Sequence, residues 1–189
     1  MARSVLDDVK PGTVLTVQQS KALDVLLAQV LEVVANRRRG ILLIHDSLQN
    51  TIGLFLQMFN WEVEYEVRFE RGEWDPERMV FDIVATKSRQ QMVIEVKDVI
   101  SPRDLGQVWG YAKALQLSRE KGRVYLGTDI LNYGRLVTGT IGEMVKELME
   151  NERTGVILAD KYVMVVFESY AQLTLQEMPQ MLISEEAVG

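Results

Sequence analysis

In this chain of 189 residues, the side chains best spaced to do chemistry lie between Val80 and Lys97. The polar run Lys87-Ser88-Arg89-Gln90 separates two strand-like segments, residues 79–86 and 91–98. Read as a four-residue hairpin loop, it sets Thr86 against Gln91 and therefore Asp82 directly opposite Glu95. Alternation then projects Asp82, Val84, Val93, Glu95 and Lys97 to one face. Phe81, Ile83, Ala85, Met92, Ile94 and Val96, all apolar, project to the other. One face is expected to be core, and the other to carry two carboxylates with a lysine two residues beyond. Opposed carboxylates repel unless something cationic lies between them. Oxygen ligands so placed suit Mg²⁺ or Mn²⁺, ions held through one or two carboxylates with several waters retained. A lysine beside them could orient or deprotonate an attacking water, or steady a phosphorane-like charge. Hydrolysis of a phosphodiester has those requirements.

The elements that must hold these residues follow from periodicity. Residues 17–39 carry Leu23, Leu26, Leu27, Val30, Leu31, Val33 and Val34 at near-helical spacing and end in Arg37-Arg38-Arg39-Gly40. Those arginines read first as cationic closure of a helix end. After a short apolar run at 41–45, Asp46 or Ser47 is expected to cap a second helix that reaches Phe59. At Trp61 the period changes to two: Trp61, Val63, Tyr65, Val67 and Phe69 alternate with Glu62, Glu64, Glu66, Arg68 and Glu70, a strand with one face buried. The acidic side of that strand is most simply the wet side of an edge strand. Residues 71–78 are loop. Ser101-Pro102-Arg103-Asp104 announces a helix, with Ser101 as cap and Pro102 in the first turn, running to Lys121. A strand at 123–128, a helix at 141–152 and strands at 155–159 and 162–168 follow, and residues from 182 on read as a frayed tail.

Asp82, twelve intervening residues, then Glu95-Val96-Lys97 resembles the D…(D/E)-x-K signature of the PD-(D/E)XK nuclease superfamily. The α-β-β-β-α-β order from Thr51 to Thr128 is similar to that superfamily's core. Gln107-Val108-Trp109-Gly110-Tyr111 resembles the Q-x-x-x-Y element of its RecB-type exonuclease branch. The resemblance implies an α/β, restriction-endonuclease-like core, a mixed sheet flanked by helices. The whole chain is then one domain: an N-terminal helical extension at 1–50, the core at 51–130, a C-terminal α-β-β addition at 131–182 and a tail at 183–189. It implies metal-dependent hydrolysis of DNA phosphodiester bonds, with Asp82, Glu95 and the Val96 carbonyl as ligands of Mg²⁺ or Mn²⁺ and Lys97 serving the attacking water. Gln107 and Tyr111 would assist the site or position the substrate, and Glu66, near Asp82 if the 71–78 loop is centred on Trp74, is a further candidate ligand. Two departures stand out. Phe81 replaces the proline of the motif, and no histidine takes the upstream ligand position of some RecB-type branches. His45 lies on the wrong side of a helix for that role and reads as a packed or capping residue. Tyr111 is equally well a core-edge tyrosine.

Composition narrows the alternatives. Without cysteine the chain holds no disulfide, Fe–S cluster or thiolate zinc site, and its single histidine, His45, excludes any site needing two imidazoles. The net charge of -6 argues against a charge-driven nucleic-acid coat. It fits the second reading, a non-catalytic nuclease-fold interaction module working through protein partners. No run is apolar enough for a membrane span, which leaves an intracellular, cytoplasmic setting as the expectation. The N-terminal amphipathic helix could pack on the core, on a second copy in a homodimer or on another partner.

Overall fold

A computed structural model describes residues 14–19, 21, 23, 45–69, 79–118, 122–177 and 179–183. Helix α1 (His45–Met58) leads into strands β1 (Glu62–Phe69), β2 (Met79–Lys87) and β3 (Gln90–Lys97). Helix α2 (Pro102–Ser118) and strand β4 (Gly122–Asp129) complete the expected α-β-β-β-α-β order. A 3-10 turn (Ile130–Asn132), α3 (Tyr133–Val137), α4 (Gly139–Asn151), β5 (Gly155–Ala159), β6 (Val163–Phe167), α5 (Tyr170–Leu173) and β7 (Gln180–Ile183) follow. The seven described strands form one sheet in sequential order. The β1–β2 and β2–β3 pairs are antiparallel, β3–β4 and β4–β5 parallel, and β5–β6 and β6–β7 antiparallel. The fold is α/β, a mixed sheet flanked by helices.

Both faces of the sheet are covered, and this corrects the one-sided expectation. Parallel crossovers are right-handed, so the helices that link β3 to β4 and β4 to β5 fall on one side. There Val84, Val93, Val124, Leu126, Val156 and Leu158 meet Leu105, Val108, Tyr111, Val145 and Leu148 of α2 and α4. On the other side α1 buries Leu48, Ile52, Phe55 and Leu56, the helical stripe read in the sequence, against Ile83, Ile94, Val96, Tyr125 and Ile157. Strands enclosed on both faces read as continuous apolar runs, as Gly155–Ala159 and Val163–Phe167 do. Two glycines allow α1 to lie this close. A Cβ at Gly127 would stand 2.8 Å from Ile52 Cδ1, and one at Gly53 would collide with the Tyr65 hydroxyl.

Several boundaries shift. Helix α1 spans His45–Met58, so Asp46 and Ser47, the expected caps, lie within it. The hairpin turn is Ser88-Arg89 alone, and Lys87 pairs with Gln90, which preserves the predicted register with a tighter loop. Among the described strands β1 lies at one end of the sheet, and none of its residues is fully buried. The C-terminal part extends the same sheet, and Leu182 and Ile183, read as tail, pair with Met164 and Val163. Of the helix predicted at 17–39, Val17, Gln18, Gln19, Lys21 and Leu23 are helical, and Leu23 is in the core. The remainder, Arg37–Arg39 included, and the 71–78 loop lie outside the described residues.

Candidate functional site

The site forms where β2 comes away from its neighbours. Pairing of β2 with β3 runs from Lys87↔Gln90 to Ile83↔Ile94 and stops one step before Asp82 and Glu95. Beyond that point Glu95, Val96 and Lys97 pair only with β4, opposite Leu126, Gly127 and Thr128. On its other side β2 pairs with β1 except at one position: Tyr65↔Ile83 and Val67↔Phe81 bracket an unpaired Glu66 and Asp82. Glu66 is held at φ 52°, in the left-handed region, a local irregularity that leaves the register on either side unchanged. Asp82 thus stands at a double break in the sheet. Phe81 confirms it, since it packs edge-on against Tyr111 of α2 although strict alternation would send it with Ile83 toward α1.

Side chains take over the hydrogen bonds that the breaks release. Asp82 Oδ2 accepts the Val96 N–H at 2.7 Å, and the Asp82 carbonyl accepts from Gln49 Nε2 of α1 at 2.7 Å. Gln49 Nε2 also lies 3.0 Å from Glu66 Oε1, which ties the unpaired Glu66 to the same point. In the mouth of the fork, Lys97 Nζ is in direct contact with Glu95 Oε1. Glu95 is 1 % exposed, and its second oxygen, Oε2, is buried without a hydrogen-bond partner. Burial pushes the Glu95 carboxyl up to about 7, against the pull of Lys97 and with a further push from the nearby Asp82 carboxylate. Lys97 is raised despite its burial, because Glu95, Asp82 and Asp104 all favour the ammonium form. The two carboxylates and the lysine are therefore brought together. They do not face away from the core; they sit at the buried rim of the α2-side layer.

Of the other predicted site residues, Gln107 and Tyr111 are joined to each other and to the frame. Gln107 Nε2 donates to the Tyr111 hydroxyl at 2.7 Å, which donates to the Val80 carbonyl at 2.9 Å. Tyr111 is buried and its hydroxyl pushed up to about 12, chiefly by desolvation and then, against the Gln107 hydrogen bond, by the Glu95 and Asp82 charges. It braces the start of β2 beneath the carboxylates. Glu66 reaches Gln49. Among the described residues no group of three or more His, Asp or Glu side chains is arranged to hold a metal ion.

His45 is the correction to the sequence reading. It belongs to α1, and its Nε2 lies 3.4 Å from Asp82 Oδ2. Its proton affinity is raised: burial opposes this, but Asp46 and Asp82 outweigh it. His45 and Gln49 are four residues apart, one helical turn, so both address Asp82 from the same face. That spacing was the available signal. No local signal announced Thr128 and Asn132. Thr128 Oγ1 donates to the Lys97 carbonyl at 2.6 Å, while Asn132 Nδ2 donates to Thr128 Oγ1 at 2.8 Å and to the Asp98 carbonyl at 2.9 Å. They clamp the end of β3 from more than thirty residues away. The predicted cap of α2 is in place, with Ser101 N–H and hydroxyl both donating to Asp104 Oδ2 at 2.8 and 2.5 Å.

Fold and site together define a mixed α/β protein with an acid–acid–lysine cluster in a strand fork. No family model matches the chain, and no curated protein sequence matches it. Among solved structures, it is similar to an FdxN element excision controlling factor protein from Anabaena variabilis, at 18% identity and a TM-score of 0.50 over 61% of this chain and 91% of that one. It is also similar to an XisH family protein from Nostoc punctiforme, at 16% identity and a TM-score of 0.47 over 72% of this chain and 98% of the other. The first of these likenesses shows a shared fold. No described helix is long and apolar enough to cross a membrane.

Proposed function

We propose that the chain is a metal-dependent nuclease of the PD-(D/E)XK type that hydrolyses DNA phosphodiester bonds. The observation that carries this reading is the fork itself, where β2 leaves β3 so that Asp82 and Glu95 meet beside Lys97 and Glu95 Oε2 is left buried without a partner. A buried acceptor oxygen of this kind calls for a cation or a donor. The donor set fits Mg²⁺ or Mn²⁺: Asp82 and Glu95 would hold the ion, with the Val96 carbonyl as a third oxygen, and two carboxylates suffice for magnesium. When bound, such an ion polarises a phosphoryl oxygen and lowers the pKa of a coordinated water. Lys97 would hold the attacking water or offset charge on the phosphorus-bound oxygens. Tyr111 and Gln107 would keep β2, and so Asp82, in place.

A second reading, an interaction module without catalysis, has its own support. Lys97 is already paired with Glu95, and Asp82 already carries the Val96 N–H, so the cluster is satisfied within the chain apart from one oxygen. The fold neighbour is named for control of excision, which is in keeping with a regulatory part. The experiment is a Mn²⁺-dependent cleavage assay on labelled single-stranded, duplex and branched DNA, run beside thermal melts with and without metal. The proposal expects Mn²⁺ to raise the melting temperature of the wild type but not of Asp82→Asn. It expects Lys97→Ala to lose about 10²–10⁴-fold in cleavage rate, the worth of a positioned acid–base group. No metal-dependent melting shift and no cleavage of any substrate would overturn it in favour of the interaction module.

A further inference from the structure

A cavity of about 600 Å³ lies at the other end of the sheet, on the α1 side. It opens where β3 and β4 begin, beside the Ser88-Arg89 turn and far along β3 from Lys97. Arg89, Arg123 and Arg153 line it, together with Trp61, Tyr125 and Glu168. Three guanidinium groups against one carboxylate make this a cationic concavity in a chain of net charge -6.

Arg123 is fixed as few surface arginines are. Its guanidinium donates to the Thr154 carbonyl at 3.0 Å and to the Glu168 carbonyl, and lies 5.8 Å from the centre of the Tyr125 ring. Its Nε–H is buried with no acceptor. The Glu168 carboxylate is 3.8 Å from Arg123 Nη1 and is more than half exposed, so it neutralises this group only in part. Arg153 follows the end of α4 with φ 52°, the left-handed position that glycine occupies at low cost. The volume is that of a small-molecule pocket, ~300–1,000 Å³, far more than one bare anion fills. The half-buried Trp61 adds an aromatic surface on which a planar ring can stack.

We infer that this cavity binds a nucleoside phosphate, its phosphate on the three arginines and its base against Trp61, at a site separate from the carboxylate fork. The chemistry is shared by a free mononucleotide and by the phosphorylated end of a nucleic-acid strand. The inference does not depend on nuclease activity.

The test is calorimetric titration of the full chain in EDTA, so that the fork holds no metal, with inorganic phosphate, dAMP, and a short DNA single strand with and without its 5′-phosphate. Nucleoside phosphates are expected to bind tighter than inorganic phosphate. Arg89→Gln with Arg153→Gly should weaken them about tenfold or more without lowering the melting temperature, since both side chains are exposed and the glycine suits its backbone. Trp61→Leu should weaken dAMP and leave phosphate unchanged. Tighter binding of dAMP than of the strands assigns a free nucleotide, and a gain confined to the 5′-phosphorylated strand assigns a strand end. The inference is overturned if dAMP and the phosphorylated strand bind no tighter than phosphate, or if the double variant, folded as shown by its melt, binds them as well as the wild type.

Discussion

The two ends of β3 handle charge in opposite ways. At its start, Gln90 and Gln91 pair regularly with Lys87 and Thr86, and the charges nearby, Arg89 and Arg153, extend into solvent around an open cavity. At its finish, the ladder to β2 is broken, and Asp82 and Glu95 are buried with Lys97 as their cation. A charge in water costs little and is worth little, whereas a carboxylate in a protein interior must be paired, shifted in pKa or bound to something. The fork therefore stores an electrostatic cost that the start of the strand does not. The breaks in pairing are what make that storage structurally possible, because they free a backbone N–H that the Asp82 carboxylate accepts and a backbone carbonyl to which the Gln49 amide donates.

The contrast can be broken most directly at Glu95. Its carboxyl is raised from 4.5 to about 7, so the native chain holds that proton more tightly than the unfolded chain does. The resulting stabilisation is complete below 4.5 and is lost as pH climbs through about 7, a swing on the order of 3 kcal/mol for a shift of this size. Glu95→Gln should abolish the swing, leaving the variant more stable than wild type at about pH 8 and similar at about pH 5, as urea melts across that range would show. A wild-type curve with no such fall would mean that Lys97 alone compensates the buried charge.

Next in size is Asp82. Alanine there strands the buried Val96 N–H and should cost about 1–3 kcal/mol, while Asp82→Asn keeps an acceptor oxygen and should cost much less. The difference between the two variants in denaturant melts isolates the hydrogen bond from the charge. Equal losses would assign the effect to charge. His45→Gln should cost less than about 1 kcal/mol, because the imidazole is partly exposed and 3.4 Å from its partner. Its raised proton affinity makes that small contribution present below 6.5 and lost as pH rises past the folded value, so the effect should shrink in alkaline melts. Smallest is the cationic end, where Arg153→Gly should raise stability by a few tenths to about 1 kcal/mol by relieving the positive φ. A loss there would mean that the arginine carries contacts worth more than its strain.

Much of this was legible in the residue order. The hairpin register around Asp82 and Glu95, the Ser101–Asp104 cap and the buried stripe of α1 all arise from interactions among near neighbours, where period and turn chemistry act directly. Even the position of Glu66 opposite Asp82 follows from a loop centred on Trp74, as the pairs flanking it show. What could not be read was which hydrogen bonds the sheet would leave unmade. Alternation alone placed Asp82, Glu95 and Lys97 on an open face, because it assumes a regular ladder and says nothing about a helix covering both Val84 and Val93.

Local sequence, then, determined the element order, the hairpin that carries two acids and a lysine, and the absence of thiol and multi-histidine chemistry. Only the tertiary structure decided that β2 would part from β3 at Asp82, that His45 and Gln49 would reach it from α1, and that Thr128 and Asn132 would hold the end of β3. The same holds for the basic cavity, assembled from the β2–β3 turn, the start of β4 and the end of α4. The physical reason is range. Turns, caps and periodic faces are settled over a few residues, whereas burial, and with it every shift in proton affinity in the fork, depends on which distant segments the chain packs against each other.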